Sequence, residues 1–74
     1  MKPGRYRAGI KREQALVEEW KDVPVGTEVI VTKDLGEKVP TKTRSEPWLL
    51  GGHTAVIMLE GILGCYLLER VRRA

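Results

Sequence analysis

The most constraining feature of this chain is the stretch from Thr54 to Leu68, TAVIMLEGILGCYLL, which is almost continuously apolar and is interrupted by Gly61 and Gly64. Glycine readily adopts the backbone conformations of turns and bulges, and Thr, Val and Ile are frequent in strands. The two glycines therefore divide the stretch into two strand-length segments, residues 54–60 and 65–68. This pattern predicts a small domain rich in β-structure.

The predicted strand at residues 54–60 is apolar on both of its faces. Side chains alternate between the two faces of a strand, and both sets are apolar: Val56 and Met58 on one face, and Ala55, Ile57 and Leu59 on the other. The interior of a small barrel uses only one face, and an exposed contiguous apolar patch marks an interface or an aggregation site. The second face therefore needs a cover, which is either a helix of the same chain, a second copy or a partner protein, and two of these can act together.

An amphipathic helix is predicted from Ile10 to about Lys21. Its apolar residues share one helix face and include Leu16, Val17 and Trp20. The Val23-Pro24 step ends the helix, because the residue before a proline avoids helical backbone angles. Residues 1–9, MKPGRYRAG, contain one proline and two glycines and are predicted to form a flexible basic arm.

The remaining strands are short. After a turn at residues 24–27, strands are predicted at Glu28–Asp34 and Val39–Glu46, and Pro40 fits only an early or edge position. Residues 48–50 then cross toward a flexible corner at Gly51-Gly52. Beyond the apolar stretch, the chain end predicts one helical turn and a last short strand at Val71. These five strands predict a small barrel over about residues 24–73.

The chain end resembles the SH3-like barrel family. The final hairpin of that family commonly has a glycine, an aromatic or β-branched residue, a single 3₁₀ turn and a short strand containing Val, which correspond here to Gly64, Tyr66, Leu67-Leu68-Glu69 and Val71. The resemblance covers roughly residues 24–73. It implies an SH3-like five-stranded small barrel preceded by the helix, within a single domain at residues 10–74. Such barrels bind peptides, nucleic acids, membranes and one another, so the resemblance implies no particular activity.

Two further resemblances bear on origin and activity. Residues 41–48, followed by residues 51–54, are similar to small proteins of bacteriophages and mobile elements, which implies such an origin. The closing segment Leu68-Glu69-Arg70-Val71 resembles that of the plasmid-type, trimethoprim-insensitive dihydrofolate reductases. Their active pore depends on a Gln-Ile-Tyr segment, and the corresponding positions here are Gly61, Ile62 and Leu63. Because both polar pore residues are replaced, the resemblance argues against that activity.

The composition contains few residues that could form a disulfide, bind a metal or catalyse a reaction. A chain of 74 residues with one cysteine, Cys65, and one histidine, His53, cannot close an internal disulfide or complete a structural zinc site. His53 has no recognisable nucleophile or second acid–base group in a motif with it and is expected to be a hydrogen-bonding loop residue. We therefore expect no catalytic residue, no metal, no cofactor and no small-molecule substrate, and hence no enzyme. Self-association is the expected source of additional burial.

The distribution of charge leaves nucleic acid open as a partner. The net charge is +3, and residues 1–12 contain five cations and no acid. A phosphate-binding surface, with the tyrosine stacking on a base, would use Arg5, Tyr6, Arg7, Lys11, Arg12, Lys42 and Arg44. Solvated surface charge is the alternative. The sequence shows no signal peptide or membrane span, so we expect a cytoplasmic protein without a membrane partner.

These observations favour a non-enzymatic protein-interaction module that forms a homo-oligomer or binds another protein. The predicted partner-binding residues are Trp48, Leu49, Ile57 and Leu59. Trp48 lies in a predicted loop where SH3-like barrels often place aromatic residues that contact ligands, and Ile57 and Leu59 are assigned to the outer side of the apolar strand. The alternative function is a nucleic-acid-binding regulator that uses the basic arm and the strand cations.

Overall fold

The computed structural model describes residues 3–74, with side chains from Gly9 onward. In this range the elements are α1 (Pro3–Trp20), β1 (Glu28–Thr32), β2 (Lys38–Lys42), β3 (Trp48–Leu50), β4 (Thr54–Met58), β5 (Cys65–Leu67), a 3₁₀ turn (Leu68–Arg70) and β6 (Val71–Arg73). The strands form two antiparallel three-stranded sheets, ordered β2-β1-β6 and β3-β4-β5. A mainly β architecture with an N-terminal helix is therefore confirmed, whereas the two sheets are not closed into a barrel.

Helix α1 begins at Pro3, whereas the sequence predicts its start at about Ile10. Proline is well tolerated in the first helical turn, because the N–H that it lacks would have no intrahelical partner there. The basic arm predicted at residues 1–9 is thus continuous with the helix from Pro3 onward. The helix ends at Trp20, close to the predicted end, and the N–H of Val23 donates to the carbonyl of Trp20 at 3.1 Å as the chain turns.

The first sheet is centred on β1. Val29 and Val31 are fully buried and point into the core, as their alternation predicts. Val31 lies opposite Val39 of β2 and Val71 of β6. Pro40 lies on β2, which is an edge strand of this sheet, so the proline occupies the kind of position that the sequence predicts for it.

The described range contains six strands where the sequence predicts five, because residues 38–50 pair in two pieces. The first piece, β2, belongs to the first sheet, and the second piece, β3, belongs to the second sheet. Thr43 lies between them and forms an isolated bridge with Leu59, just beyond the end of β4. One stretch of chain therefore passes from one sheet into the other.

The interruption between β2 and β3 has a local chemical cause. The N–H of Arg44 donates to the carbonyl of Met58 at 2.8 Å. The N–H of Met58, however, donates to the hydroxyl oxygen of Ser45 at 3.1 Å instead of a backbone carbonyl. Pro47 follows and has no N–H to offer a neighbouring strand. Regular pairing resumes only at Trp48, which the sequence analysis placed in a loop.

The core lies between the two sheets and α1. Its buried residues are Trp20, Val29, Val31, Ala55, Ile57, Leu59, Leu68 and Val71. Leu16 and Val17 of α1 pack against this cluster, whereas Ile10 is half-buried and is not part of it. Helix α1 therefore packs on the core-facing side of β4, beside the first sheet. The prediction that the helix covers the apolar face that the interior does not use is wrong.

Glu13 attaches α1 to β4. Its Oε1 accepts a hydrogen bond from the backbone N–H of Ala55 at 2.9 Å. The pairing of β4 with β5 stops at Val56, so a side chain of the helix satisfies the next backbone donor of the strand. A buried donor without an acceptor is costly, and this contact therefore helps to position the helix.

Thr43 is a buried polar residue that connects the α1–β1 linker to the sheets. Its Oγ1 accepts hydrogen bonds from the N–H groups of Gly26 at 3.0 Å and Thr27 at 3.2 Å. The same hydroxyl donates to the carbonyl of Pro24 at 3.3 Å. One side-chain oxygen thus organises the turn from which β1 begins.

Replacing Thr43 with valine removes three hydrogen bonds of a buried hydroxyl at nearly constant volume. The N–H groups of Gly26 and Thr27 keep their backbone acceptors, the carbonyls of Thr43 and Pro24. We expect Thr43→Val to lower the free energy of unfolding by about 1–3 kcal/mol. The matched control is Thr41→Val, which removes one exposed hydrogen bond to the carbonyl of Glu60 and should cost about 1 kcal/mol or less. Urea denaturation followed by tryptophan fluorescence measures both. Equal losses would contradict the role assigned to Thr43.

Candidate protein-contact surface

The sheet β3-β4-β5 has one face toward the core and one toward solvent. Paired residues on adjacent strands share a face, and the register places Trp48 opposite Val56 and Val56 opposite Leu67. We call the face that carries this row the outer face. Its residues are Trp48, Leu50, Thr54, Val56, Met58, Cys65 and Leu67.

The outer face is apolar and open to solvent. Trp48, Leu50 and Leu67 keep 37%, 49% and 37% of their surfaces exposed. Val56 lies at the centre of the row between Trp48 and Leu67 and is buried by its neighbours. Contiguous exposed apolar surface of this kind marks interaction sites on soluble proteins.

The structure reverses the predicted assignment of the two faces of β4. Ile57 and Leu59, predicted to meet a partner, are 1% and 0% exposed and belong to the core of the chain itself. Leu49 also packs against that core. Of the four predicted partner-binding residues, only Trp48 lies on the outer face. The reversal has a simple cause: both faces of β4 are apolar, so alternation alone cannot tell which one points inward.

Sequence reasoning missed several residues of the outer face, namely Leu50, Met58 and Leu67. The signal that could have identified Leu50 is the alternation within residues 48–50. Read as a strand, that segment places Trp48 and Leu50 on one side and Leu49 on the other. Treating it as a loop hid the relation between Trp48 and Leu50.

Four of the predicted nucleic-acid-binding residues have described side chains, and these four lie in two separate places. Lys42 and Arg44 are exposed on either side of the buried Thr43, near the Met58 end of β4. Lys11 and Arg12 are exposed on α1, which meets β4 near its other end, at Ala55. The side chains of three predicted residues lie outside those that the structure describes: Arg5, Tyr6 and Arg7.

His53 and Cys65 carry the side chains with the most versatile chemistry among the described residues. His53 is exposed, and its Nδ1 lies 2.8 Å from the hydroxyl oxygen of Thr54. Cys65 is a half-buried free thiol on the outer face. Among residues 3–74, no three His, Cys, Asp or Glu side chains are grouped so that they could hold a metal ion. No helix in this described range is long and apolar enough to cross a membrane.

No protein-family model, curated protein or solved structure matches the chain. The resemblances of the final hairpin and of residues 41–54 therefore stay predictions. The function has to be inferred from the surface itself, and the outer face is its most distinctive part.

The assignment of the two faces can be tested by truncating one leucine on each. Leu59 is fully buried, so Leu59→Ala should lower the free energy of unfolding by about 2–5 kcal/mol. Leu50 is half exposed, so Leu50→Ala should cost about 1 kcal/mol or less. Chemical denaturation at low protein concentration measures both values. If Leu50→Ala were the more damaging change, the assignment would be wrong.

Proposed function

We propose that this protein is a non-enzymatic protein-interaction module that self-associates through the outer face. The observation that carries the proposal is the different environment of the two faces of β4. The inner face is filled by the core and by α1 of the same chain. The outer face presents Trp48, Leu50 and Leu67 to solvent with large exposed fractions.

A second copy is the occupant that the size of the chain favours. A 74-residue domain buries a smaller share of its surface than a larger one, and association adds burial without a disulfide or metal. Two sheets of the same shape pack face to face about 10 Å apart, with their twists matched. A second copy supplies a sheet of this kind.

The area of the outer face sets the expected strength of the complex. Its strands are three to five residues long, so the face covers roughly 250 Å². A standard stable interface buries about 800 Å² on each partner. We therefore expect reversible association, with a dissociation constant of tens to hundreds of micromolar at most, on the order of the weak complexes that small interfaces form.

The edge strands also favour the sheet β3-β4-β5 as the contact surface. In the first sheet, edge strand β2 contains Pro40 between two lysines, and edge strand β6 contains Arg72 and Arg73. Charged residues and prolines on an edge oppose pairing with another chain. In the second sheet, edge strands β3 and β5 read WLL and CYL, without charge or proline. The unprotected edges therefore flank the exposed apolar face.

For the fold, we propose a relationship to SH3-like small barrels. The support is the passage of residues 38–50 from one sheet to the other and the 3₁₀ turn at Leu68–Arg70 between β5 and β6. An origin in a phage or mobile element remains part of the proposal, on the residues that carry the similarity.

A second candidate function is nucleic-acid binding by the same face. One observation favours it: Arg44 follows the inward-pointing Thr43 beside Met58, so it and Trp48 lie on the same side of the sheet. An exposed aromatic ring can stack on a base while a nearby cation contacts phosphate. The surrounding side chains are aliphatic, however, and therefore suit a protein better than a nucleic acid.

Self-association should depend on concentration and on the outer face. In sedimentation velocity under reducing conditions, the wild type should shift from monomer toward dimer as its concentration rises. Leu50→Lys places a charge in the proposed interface and should weaken the dimer at least tenfold, about 1.4 kcal/mol. Leu35→Lys is the matched control, because Leu35 is 92% exposed in the turn between β1 and β2, which belong to the other sheet.

A wild type that remains monomeric up to hundreds of micromolar would refute self-association by this face. An equal effect of Leu35→Lys would show that added charge, and not the location of the substitution, weakens the dimer. The reductant keeps Cys65 from forming an intermolecular disulfide that would imitate association.

The nucleic-acid alternative predicts a strong dependence on salt. Labelled single-stranded RNA and DNA should show increased fluorescence anisotropy at low salt, and the signal should fall steeply as salt is added, because phosphate contacts release counterions. Arg44→Gln should weaken that binding, whereas Lys11→Gln on the distant helix should have a smaller effect. No change in anisotropy at low salt would exclude this alternative.

A further inference from the structure

The free edge of β5 carries outward-pointing backbone groups. Cys65 lies opposite Met58 of β4. Both backbone groups of Met58 bond on the other side of β4, however: its carbonyl accepts the N–H of Arg44 at 2.8 Å, and its N–H donates to the hydroxyl oxygen of Ser45 at 3.1 Å. When two opposite residues of an antiparallel pair do not bond to each other, their backbone groups point away from the partner strand. The N–H and the carbonyl of Cys65 therefore point out of the sheet edge.

Leu67 repeats this orientation two residues further along the strand, because the bonding pattern of an antiparallel pair alternates. Within the part of the chain that the structure describes, neither its N–H nor the two backbone groups of Cys65 have a hydrogen-bond partner. Leu67 is also the N-cap of the 3₁₀ turn, so its carbonyl accepts the first bond of that turn. The edge thus offers two donors and one acceptor, on residues about 7 Å apart, to an approaching strand.

The opposite edge of the same sheet, β3, is less open. The same alternation, counted from Met58, directs the backbone groups of Trp48 and Leu50 toward β4 and leaves those of Leu49 facing outward. The carbonyl of Leu49 accepts the N–H of Gly52 at 3.3 Å. The edge of this sheet that can best accept a further strand is therefore β5.

A cleft lies beside the central residue of the β5 edge. Tyr66 stands between the two outward-bonding residues, and its side chain is on the core-facing side of the sheet, like that of its buried neighbour Ile57. The cleft has a volume of about 330 Å³ and is lined by Lys33, Asp34, Leu35, Glu37, Ile62 and Tyr66. Because Ile57 is not part of this lining, the cleft opens on the side of Tyr66 that faces away from β4.

We propose that β5 binds an extended peptide of another protein, which joins the sheet as an antiparallel strand and places one apolar side chain in this cleft. In strand addition of this kind, backbone hydrogen bonds give affinity and pockets for alternate side chains give selectivity. The peptide residue opposite Tyr66 lies on the core-facing side of the sheet, where the cleft is. Its two neighbours in the peptide lie on the other side and extend the apolar row of the outer face.

The charges at the cleft favour an uncharged side chain. One cation and two acids line it, and Arg70 lies 3.7 Å from one of these acids, Asp34. The lining and its ion pair together count two cations and two acids, so they do not favour a charge of either sign. The apolar part of the lining, Leu35, Ile62 and Tyr66, therefore determines what the cleft accepts.

A peptide fits this site better than a second copy. In a pairing of two β5 strands that uses the outward groups of both Cys65 and Leu67, the residue opposite Tyr66 is the second copy's own tyrosine, which packs against its own core. The cleft then stays empty. An extended peptide has side chains that are free to enter it. The site is therefore distinct from self-association through the outer face and does not depend on it.

A designed peptide tests the site. The probe is a fluorescein-labelled heptapeptide with a central leucine, a valine on each side of it, then a threonine on each side, and a lysine at each end. Its fluorescence anisotropy should rise to saturation as wild-type protein is added. N-methylation of both valines removes the donors that face β5 and should weaken binding about tenfold or more. N-methylation of the central leucine is the matched control, because its N–H faces away from β5, and should weaken binding about threefold or less.

Leu67→Pro makes the corresponding change in the protein. Leu67 has φ −63° and ψ 123°, which a proline adopts without strain, so the variant loses the outward N–H and should keep the fold, which circular dichroism checks. It should weaken peptide binding about tenfold or more, whereas Leu67→Ala, which keeps the N–H, should weaken it about threefold or less. Leu50→Lys on β3 should leave peptide binding unchanged while it weakens self-association, so the two proposals are tested separately.

Three results would overturn the proposal. One is a wild type that leaves the anisotropy of the peptide unchanged up to about 1 mM protein. Another is binding that N-methylation of the valines does not weaken, since such binding does not use the backbone of β5; this comparison needs no protein variant. The third is an unbound peptide together with a loss of self-association in Leu67→Pro, which would assign the edge to a second copy.

Discussion

Burial of the inner face of β4 is the interaction on which the rest of the structure depends. Ala55, Ile57 and Leu59 project from this strand and its extension into the space between α1 and the valines of β1. Trp20 of the helix and Val71 of the first sheet belong to the same core, to which β4 and its extension contribute three of the eight buried residues. A small chain gains most from such an arrangement, because one central strand gives every other element a surface to pack on.

Side-chain oxygens accept hydrogen bonds from backbone N–H groups at the positions where backbone pairing stops. Glu13 accepts the N–H of Ala55 near the start of β4, and Ser45 accepts the N–H of Met58 at its end. Thr43 adds a side-chain acceptor to two N–H groups of the α1–β1 linker that also have backbone acceptors. These three residues come from different parts of the chain, and Glu13 and Ser45 replace a backbone acceptor, whereas Thr43 adds to one. Because a buried unsatisfied donor is costly, they determine where each neighbour of β4 is attached.

Much of the fold could be predicted from local pattern, because it follows from local chemistry. The strand around Val29 and Val31, the edge position of Pro40 and the 3₁₀ turn before Val71 all rest on alternation, backbone geometry or a short motif. The break that makes β2 and β3 separate strands could not be predicted, because it depends on Ser45 reaching Met58 across the sheet. Which side of β4 faces solvent could not be predicted either, because both sides are apolar and only the position of α1 decides between them.

For the candidate site, Trp48 could be identified as an exposed aromatic anchor. Alternation along β3 also places Leu50 beside it, whereas Leu67 could not be identified, since it meets Trp48 only through the register of three strands.

The two-residue period of β3 and β4 also bears on how such a protein changes over time. Positions that hold the fold and positions that face outward alternate along the same short segments, so neighbouring codons are under different constraints. Substitution of Leu50 or Trp48 changes the exposed side of the sheet, while Leu49 and Ile57 keep the architecture intact. Single substitutions can therefore alter the exterior of this sheet without touching the positions that hold the fold.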